Sequence, residues 1–246
     1  MAHFYINEAI ETAVPGSSVA IDGAEVRHAV TVSRVAVGDS LEIGNGRGLV
    51  IRGTVTTAEH TELSMIAETV LTVERPVPAI ILVQALAKGD RDEMAIQAST
   101  ELGVDVVVPW SAARCISRWE GAKVSKGMAR WNAIVREASK QSVRAWVPDV
   151  LDLLNTTTLA RLSGPTRMLV LEPTADIALS ALDFGSHEHA SDITLVVGPE
   201  GGIAPHELEA LVAAGATPVR LGDSVLRTST AGPAAIAVLS AKLGRW

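Results

Sequence analysis

The chain has 246 residues, enough for one large domain or two modest domains that bury their cores without disulfides. A single cysteine, Cys115, excludes a disulfide framework, and no apolar run approaches the length of about eighteen residues that a membrane span needs. The formal net charge of −7 argues against a surface generally built for nucleic acid, so any such site must be a local patch. Met1–Tyr5 lacks the basic and apolar segments of a secretory signal, so we expect a soluble, cytoplasmic protein.

Residues 1–73 have the pattern of a small β-rich domain. Short β-prone runs at residues 18–21, 40–44, 49–57 and 62–72 are separated by turn signals, of which Asn45-Gly46 is the clearest. Residues 24–37 have helical spacing, which predicts a single helix that covers a small barrel.

Beyond a linker at residues 74–78, stiffened by two prolines, apolar strands alternate with helices. This order predicts a mostly parallel sheet with helices on both faces. The predicted strands are residues 79–85, 104–109, 167–172, 193–197 and 218–221. The predicted helices are residues 92–102, 121–142, 205–214 and 234–243. The last of these is apolar almost all round, so it must be buried in the domain or in a subunit interface.

A glycine-rich loop, VGPEGG at residues 197–202, joins a buried strand to a predicted helix. Open α/β sheets bind ligands at such strand ends, because bare backbone amides can approach the ligand there. Glu200 would repel a phosphate, and no Gly-Lys-Ser/Thr follows, so a neutral or cationic ligand is favoured. A tight turn in which glycine supplies a positive φ is an equally good interpretation of this loop taken alone.

A second loop, LGDSVLRTSTAG at residues 221–232, also follows a short strand and precedes an apolar helix. Two such loops that leave neighbouring strands would face each other across a cleft. Together with KGDR at residues 88–91 and ELGV at residues 101–104, they resemble the RsmE family, the 16S ribosomal RNA uridine-N3 methyltransferases of the SPOUT superfamily. The resemblance covers nearly the whole chain, and the four motifs are specific as a set.

The resemblance implies an α/β protein with an N-terminal PUA-like β-barrel domain that binds RNA, residues 1–73, and a C-terminal SPOUT domain, residues 79–246. It further implies a trefoil knot, which periodicity alone would never suggest. The implied cofactor is S-adenosylmethionine, and the implied partners are 16S ribosomal RNA, in the assembled small subunit, and a second copy of the chain, with no membrane and no metal. The cofactor-binding residues by this resemblance are Leu171, Glu172, Gly198, Pro199, Glu200, Gly201, Gly202, Leu221, Gly222, Val225, Leu226 and Arg227.

The candidate catalytic residues are Arg227 and Glu200. Uridine N3 carries a proton, so methyl transfer requires that proton to be removed or the resulting anion to be stabilised. Arg227 stays protonated and cannot be a base, so its predicted role is to hold a phosphate or the negative charge on the uracil oxygens. For Glu200 three roles stay open: accepting the proton, favouring the cationic sulfonium, or capping the amides at the start of the following helix.

The predicted helix at residues 121–142, extended to Arg144, has an apolar face and a basic face. The basic face is assigned Lys123, Lys126, Arg130, Lys140 and Arg144. Such a stripe is either a phosphate contact or a solvated surface, and the family likeness at residues 137–142 favours the first. The predicted RNA-binding residues are Arg27, His28, Arg34, Lys88, Arg91, Arg114, Arg130, Lys140 and Arg144.

Other motifs in the sequence give weaker functional signals. The His-Glu-His run at residues 187–189 lacks a third ligand and predicts a solvated loop, and Cys115 has the character of a buried apolar residue. Ala204, before Pro205, removes a hydroxyl N-cap worth about 1 kcal/mol. Two alternatives to the methyltransferase remain: a non-catalytic RNA-binding protein on the same scaffold, and an α/β enzyme that acts on a small molecule.

Overall fold

A computed structural model describes residues 4–21, 23–185 and 191–246. The His-Glu-His run lies outside these ranges. The chain forms two compact units, one of Met1–Arg75 with Ser139–Val147, the other of Pro76–Ala138 with Pro148–Trp246. The sequence analysis placed residues 139–147 with the C-terminal domain, whereas they belong to the first unit.

The first unit is a five-stranded sheet in the order β1-β3-β4-β5-β2. Its strands are β1 (Phe4–Ile6), β2 (Ser18–Ile21), β3 (Ser40–Gly44), β4 (Leu49–Ala58) and β5 (Leu63–Thr72). The pairing of β4 with β5 shifts between Arg52 and Gly53, and a Cβ at Gly53 would lie 2.0 Å from the Ile66 carbonyl oxygen. Glycine is therefore required where the sheet curls over a core that includes Ile21, Leu41 and Met65.

The prediction of one helix over residues 24–37 is wrong in its extent. Helix α1 covers only Gly23–Arg27, and a π-helical turn follows at His28–Val32. Arg34 has a φ of 56°, which no helix accommodates, and the chain leaves the helical path there. Strand β1 was missed because three residues are too few to show a period.

The second unit is a six-stranded sheet in the order β11-β9-β10-β6-β7-β8, and every neighbouring pair is parallel. Its strands are β6 (Ile80–Ala85), β7 (Val106–Trp110), β8 (Asp149–Val150), β9 (Arg167–Leu171), β10 (Ile193–Val197) and β11 (Thr217–Val219). Strand β10 is buried along its whole length, as expected of a parallel strand covered on both faces. The predicted parallel α/β sheet is confirmed.

The helices that follow α1 are α2 (Arg91–Glu101), α3 (Ala122–Gln141), α4 (Thr156–Ala160), α5 (Pro205–Ala213) and α6 (Thr228–Lys242). They belong to the second unit, except that residues 139–141 at the end of α3 belong to the first. Helix α6 packs on α2 and on strands β6 and β10, which explains its apolar character. It begins at Thr228, earlier than the predicted residue 234, and continues through Pro233. A Cβ at Gly232 would lie 3.1 Å from Leu82, so glycine lets this helix approach the sheet closely. Among the described residues, no helix is both long and apolar enough to cross a bilayer.

Candidate active site

A cavity of about 390 Å³ opens where strands β9, β10 and β11 end. Both β10 and β11 pair with β9 in parallel, so the loops that follow the three strands meet at one edge of the sheet. All the predicted cofactor-binding residues except Gly201 line this cavity. Gly201 instead faces Arg114, whose Nη1 donates to the Gly201 carbonyl oxygen at 3.0 Å.

Glycine is required in the first loop for two reasons. A Cβ at Gly198 would lie 2.7 Å from Cγ1 of Ile203, and Gly202 has a φ of 71°. The turn interpretation of this loop is therefore correct as far as it goes, but the loop also lines the cavity. The tight turn and the close approach of a ligand to the backbone both require glycine at these positions.

The predicted list of cofactor-binding residues omits several lining residues, among them Arg220 and Thr228, although Thr228 ends a loop that the resemblance assigns to the cofactor pocket. Nε2 of the fully buried Gln84 donates to Thr228 Oγ1 at 2.8 Å, and Thr228 Oγ1 donates to the Gly198 carbonyl oxygen at 2.9 Å. Thr228 thus ties the end of β6, the first glycine loop and the start of α6 together. Apart from that resemblance, a polar residue at the start of an apolar helix was the only sequence signal for it.

Arg220 closes the third side of the cavity. Its Nη1 donates to the carbonyl oxygens of Ala175, at 2.8 Å, and Asp176. These bonds hold the loop that follows β9, which carries Glu172 to the cavity. Nothing in the sequence distinguished Arg220 from a solvated arginine.

Glu200 bridges two loops. Its Oε1 accepts hydrogen bonds from the Lys88 backbone N–H at 3.0 Å and from Arg91 Nη1 at 3.1 Å. Burial by itself would raise the pKa of the Glu200 carboxyl, but hydrogen bonds from the N–H groups of Glu200 and Lys88, and the Arg91 guanidinium, outweigh it and hold the pKa below its ordinary value. Glu200 is therefore an ionised anchor, bonded on the α2 side of the cavity instead of capping α5.

The start of α5 is stabilised by Glu207, which the sequence analysis overlooked. This buried carboxylate accepts from the Ala113 N–H at 3.0 Å, from Thr156 Oγ1 at 2.5 Å and from the Ala204 N–H at 3.4 Å. The last bond is one half of a capping box, so the expected loss of an N-cap at Ala204 is partly offset. Glu207 also fixes the loop after β7, which carries Arg114.

The predicted basic stripe on α3 is not a single surface. Lys140 Nζ lies 3.0 Å from Glu25 Oε2, and the two side chains are only 11% and 13% exposed. The prediction that Lys140 lies on an exposed basic face is wrong, because helical spacing shows which residues share a face and not what covers it. Arg144 lies beyond the end of the helix, after Val143 with its φ of 55°.

The remaining predicted RNA-binding residues fall in two places. Arg27, His28 and Arg34 are exposed in the first unit. In the second unit, Arg91 pairs with Glu200, and Arg130 Nη2 pairs with Glu93 Oε2 at 2.9 Å. Lys88 is exposed in the loop that leads to Arg91, and Arg114 is held against the first glycine loop.

Cys115 is buried beside these loops. Loss of solvation on burial raises the pKa of its thiol to about 11. The thiol therefore stays protonated near neutral pH, which does not suit a nucleophile.

Two family models match the chain. The RNA methyltransferase domain matches residues 73–240, and the RNA methyltransferase PUA domain matches residues 21–64. The chain belongs to the RNA methyltransferase family. The predicted family, and the predicted pairing of a PUA-like domain with an α/β domain, are confirmed.

Relatives in this family match over nearly their full length. The ribosomal RNA small subunit methyltransferase E of Mycobacterium tuberculosis is 40% identical over 99% of this chain and 92% of the relative. The protein of the same name from Bacillus subtilis is 28% identical over 98% of this chain and 96% of the relative. The crystal structure of the Neisseria gonorrhoeae enzyme of that name, bound to S-adenosyl methionine, superposes with a TM-score of 0.85 at 29% identity and covers 98% of both chains.

Proposed function

We propose that the protein transfers a methyl group from S-adenosylmethionine to N3 of a uridine in 16S ribosomal RNA. The observation that carries this proposal is the cavity at the ends of β9, β10 and β11, lined by the residues that the family resemblance assigns to the cofactor. The choice of small-subunit ribosomal RNA as substrate rests on the names of the relatives. The choice of cofactor rests on the S-adenosyl methionine bound to the Neisseria gonorrhoeae enzyme.

The chemistry of the cavity fits this cofactor. Its volume lies in the range of about 300–1,000 Å³ of small-molecule sites, and its lining joins the backbone of two glycine-bearing loops to the apolar side chains of Leu171, Leu221 and Leu226. Such a lining can enclose an adenine and bond its edge through backbone groups. When bound, S-adenosylmethionine supplies an electrophilic methyl group on a sulfonium.

Arg227 is the residue we assign to charge stabilisation. It is exposed and lines the cavity at the start of α6. As uridine N3 gives up its proton to water, negative charge spreads to the uracil oxygens, and the Arg227 guanidinium stabilises that charge. Arg227 thereby lowers the barrier to forming the N3 nucleophile.

Glu200 we assign to positioning. A carboxylate whose pKa is held below its ordinary value has little affinity for a proton, so it is a poor base for uridine N3. Its bonds to Lys88 and Arg91 hold the first glycine loop against the loop before α2. This arrangement supports none of the three roles that the sequence left open for Glu200. It supports a fourth role, which is to hold the two loops together.

Further parts of the proposal rest on the family resemblance. They are the RNA-binding role of residues 1–73, the catalytic role of residues 79–246, the trefoil knot, the homodimer and the assembled small subunit as substrate. Exposed Arg27, His28 and Arg34 support RNA contacts by the first unit. A non-catalytic RNA-binding scaffold is less well supported, because such a protein has no need of a cavity lined by these motifs.

The direct test is nucleoside mass spectrometry after incubation of small subunits, or of naked 16S RNA, from a strain that lacks the endogenous enzyme. We expect one N3-methyluridine per RNA, dependent on S-adenosylmethionine. Absence of that nucleoside from both substrates, with cofactor binding intact, would overturn the assigned reaction.

The cavity is tested by Gly222→Leu. A Cβ at Gly222 meets no atom within 4 Å and the residue lines the cavity, so the variant should fold yet lose cofactor affinity by about tenfold or more in calorimetry. Gly164→Leu is the matched control, because Gly164 has equal free space and does not line the cavity. Equal affinity in the two variants would place the cofactor elsewhere.

A further inference from the structure

A second concave surface lies in the second unit. A cavity of about 330 Å³ is lined by residues of the segment 87–93, which ends in the first turn of α2, and of the segment 116–131. A shallower hollow adjoins it along residues 116–127. We call this surface the Trp119 groove. The proposed methyl transfer assigns it no role.

Trp119 forms a fixed aromatic wall of this groove. Its ring meets Trp131 edge to face, with centroids 5.4 Å apart and planes at 76°. It also lies over Gly127, where an added Cβ would come within 2.5 Å of the indole. A glycine inside a helix costs about 1 kcal/mol relative to alanine, and here it makes room for the ring. Trp119 remains partly exposed, and Ile116 beside it is 68% exposed.

Uncompensated positive charge surrounds this wall. Arg118, Lys123 and Lys126 are exposed and line the shallower hollow, and within the described ranges none of them has a carboxylate partner. Glu120 is the only acidic residue in the sequence between 114 and 130. In a chain of net charge −7, this is a local basic surface of the kind that binds phosphates.

The acidic residues of the groove are largely engaged already. Asp92 accepts hydrogen bonds from the N–H groups of Ala87, at 3.2 Å, and Glu93, at 2.9 Å. The Glu93 carboxylate pairs with Arg130. Asp90 is the remaining carboxylate of the lining, so the cations outnumber the free acids.

The groove also contains an unpaired buried donor. Trp131 lines it and is 1% exposed, and its indole N–H has no acceptor among the residues that the structure describes. Buried donors without a partner are rare, because leaving one unpaired costs the full desolvation of the group.

The groove adjoins the candidate active site through shared residues. Lys88 lines the groove and Arg91 lines the cofactor cavity, and both donate to Glu200. On the other side, Arg114 donates to Gly201 and so anchors the loop that leads to Trp119. A strand with one nucleotide at the cofactor cavity would therefore extend directly into the groove.

We propose that the Trp119 groove binds an unpaired nucleotide of the RNA substrate next to the target uridine. Its base stacks on Trp119, and the phosphates on either side meet Arg118, Lys123 and Lys126. Single-stranded RNA is recognised in this manner, by aromatic stacking platforms within positively charged grooves. The inference rests on the proposed function for the identity of the strand.

The test measures binding of a fluorescein-labelled oligouridylate of about ten nucleotides, a length within the usual site sizes of single-strand-binding proteins. Trp119→Leu should weaken binding about tenfold, the lower range for loss of one stacked base. Trp119→Phe keeps an aromatic face and should remain within about threefold of the parent. Cofactor affinity, measured by calorimetry, should be unchanged in both, which also reports that they fold.

Charge is tested separately. Arg118→Glu should weaken oligouridylate binding and lower the slope of log Kd against log salt by about 0.7 for each phosphate that the variant no longer neutralises. Arg161→Glu is the matched control, because Arg161 is an exposed arginine outside the groove. Its binding constant and salt slope should follow the parent.

Unchanged oligouridylate binding in a Trp119→Leu variant that still binds cofactor overturns the proposal, as do equal effects of Arg118→Glu and Arg161→Glu. If Trp119→Leu loses cofactor binding, Trp119→Phe and Arg118→Glu decide in its place. If the parent protein bound oligouridylate through Trp119 and yet formed no N3-methyluridine, that result would refute the proposed function but support RNA binding by the Trp119 groove.

Discussion

Helix α3 carries cations near both of its ends, in opposite surroundings. Near its start, Lys123 and Lys126 are exposed and have no carboxylate partner within the described residues. At its end, Lys140 is largely buried against Glu25. Lys126 and Lys140 are separated by a whole number of helical turns to within about 40°, so both fall on the same predicted face. Identical residues at equivalent helical positions therefore have different physical roles.

The two kinds of lysine differ in whether the ammonium group keeps its hydration in the folded protein. An exposed, unpaired lysine keeps its hydration and is free to meet a phosphate. A buried lysine has given up hydration and depends on its partner to recover the energy. The first kind should affect RNA affinity and the second stability, and the following predictions test that division.

The largest effect is expected at the buried end. Lys140→Met removes the cation of this largely buried ion pair with Glu25, so we expect the free energy of unfolding to fall by about 3 kcal/mol. Chemical denaturation followed by tryptophan fluorescence measures this loss. The double variant Glu25→Leu/Lys140→Met should recover most of it, since two apolar side chains can replace a buried pair. A single variant as stable as the parent would mean that the pair is not buried in solution.

The edge of the sheet that carries the cofactor-sized cavity was predictable because it depends on the order and direction of the strands. Apolar runs followed by glycine-bearing loops predict parallel strands, and the carboxyl ends of parallel strands meet at one edge. Strand β10 and the loops after β9 and β11 therefore follow from local pattern. Elements as short as β1, β8 and α4 show no period and were missed.

Side-chain partnerships could not be predicted in this way. Lys140 and Glu25 are 115 residues apart in sequence, and Gln84 and Thr228 are 144 apart. No periodicity connects such positions, because the contact exists only after the chain has folded. The role of Glu200 stayed open for the same reason, since its partners Lys88 and Arg91 lie across the cavity edge.

Arg227 is an exposed cation at the cavity, so it should affect function and not stability. Because it acts on charge that develops in the reaction, Arg227→Ala should lower the single-turnover methylation rate by about a hundredfold. The melting temperature should hardly change, in contrast to Lys140→Met. Rapid-quench assays with saturating cofactor and RNA measure the rate. A rate within threefold of the parent would remove Arg227 from the reaction.

The Arg91–Glu200 pair is intermediate between these cases, with side chains 47% and 20% exposed. Glu200→Gln keeps the shape and one acceptor, so we expect single-turnover rates within about threefold of the parent from about pH 6 to about pH 9. A large loss that grows toward low pH would indicate that Glu200 takes the proton.

The lowered pKa of Glu200 also fixes a pH dependence. A carboxyl whose pKa is lower in the folded state contributes its stabilisation fully above its unfolded value, about 4.3, and loses it as the pH falls through the folded value. The free energy of unfolding, measured by chemical denaturation, should therefore be insensitive to this group near neutrality and decline through it only in acid. In Glu200→Gln that acid decline should be reduced.

The smallest effect is expected for the exposed pair that joins Arg130 of α3 to Glu93 of α2. Arg130 and Glu93 lie 2.9 Å apart, but their side chains are 63% and 24% exposed, so water and salt already screen them. Arg130→Ala should leave the melting temperature unchanged within error, although it removes the same kind of ion pair as Lys140→Met. The shortest N···O distances of the two pairs are similar, 2.9 Å and 3.0 Å, whereas their burial differs widely. A destabilisation by Arg130→Ala comparable to that of Lys140→Met would show that burial is not what separates these two ion pairs.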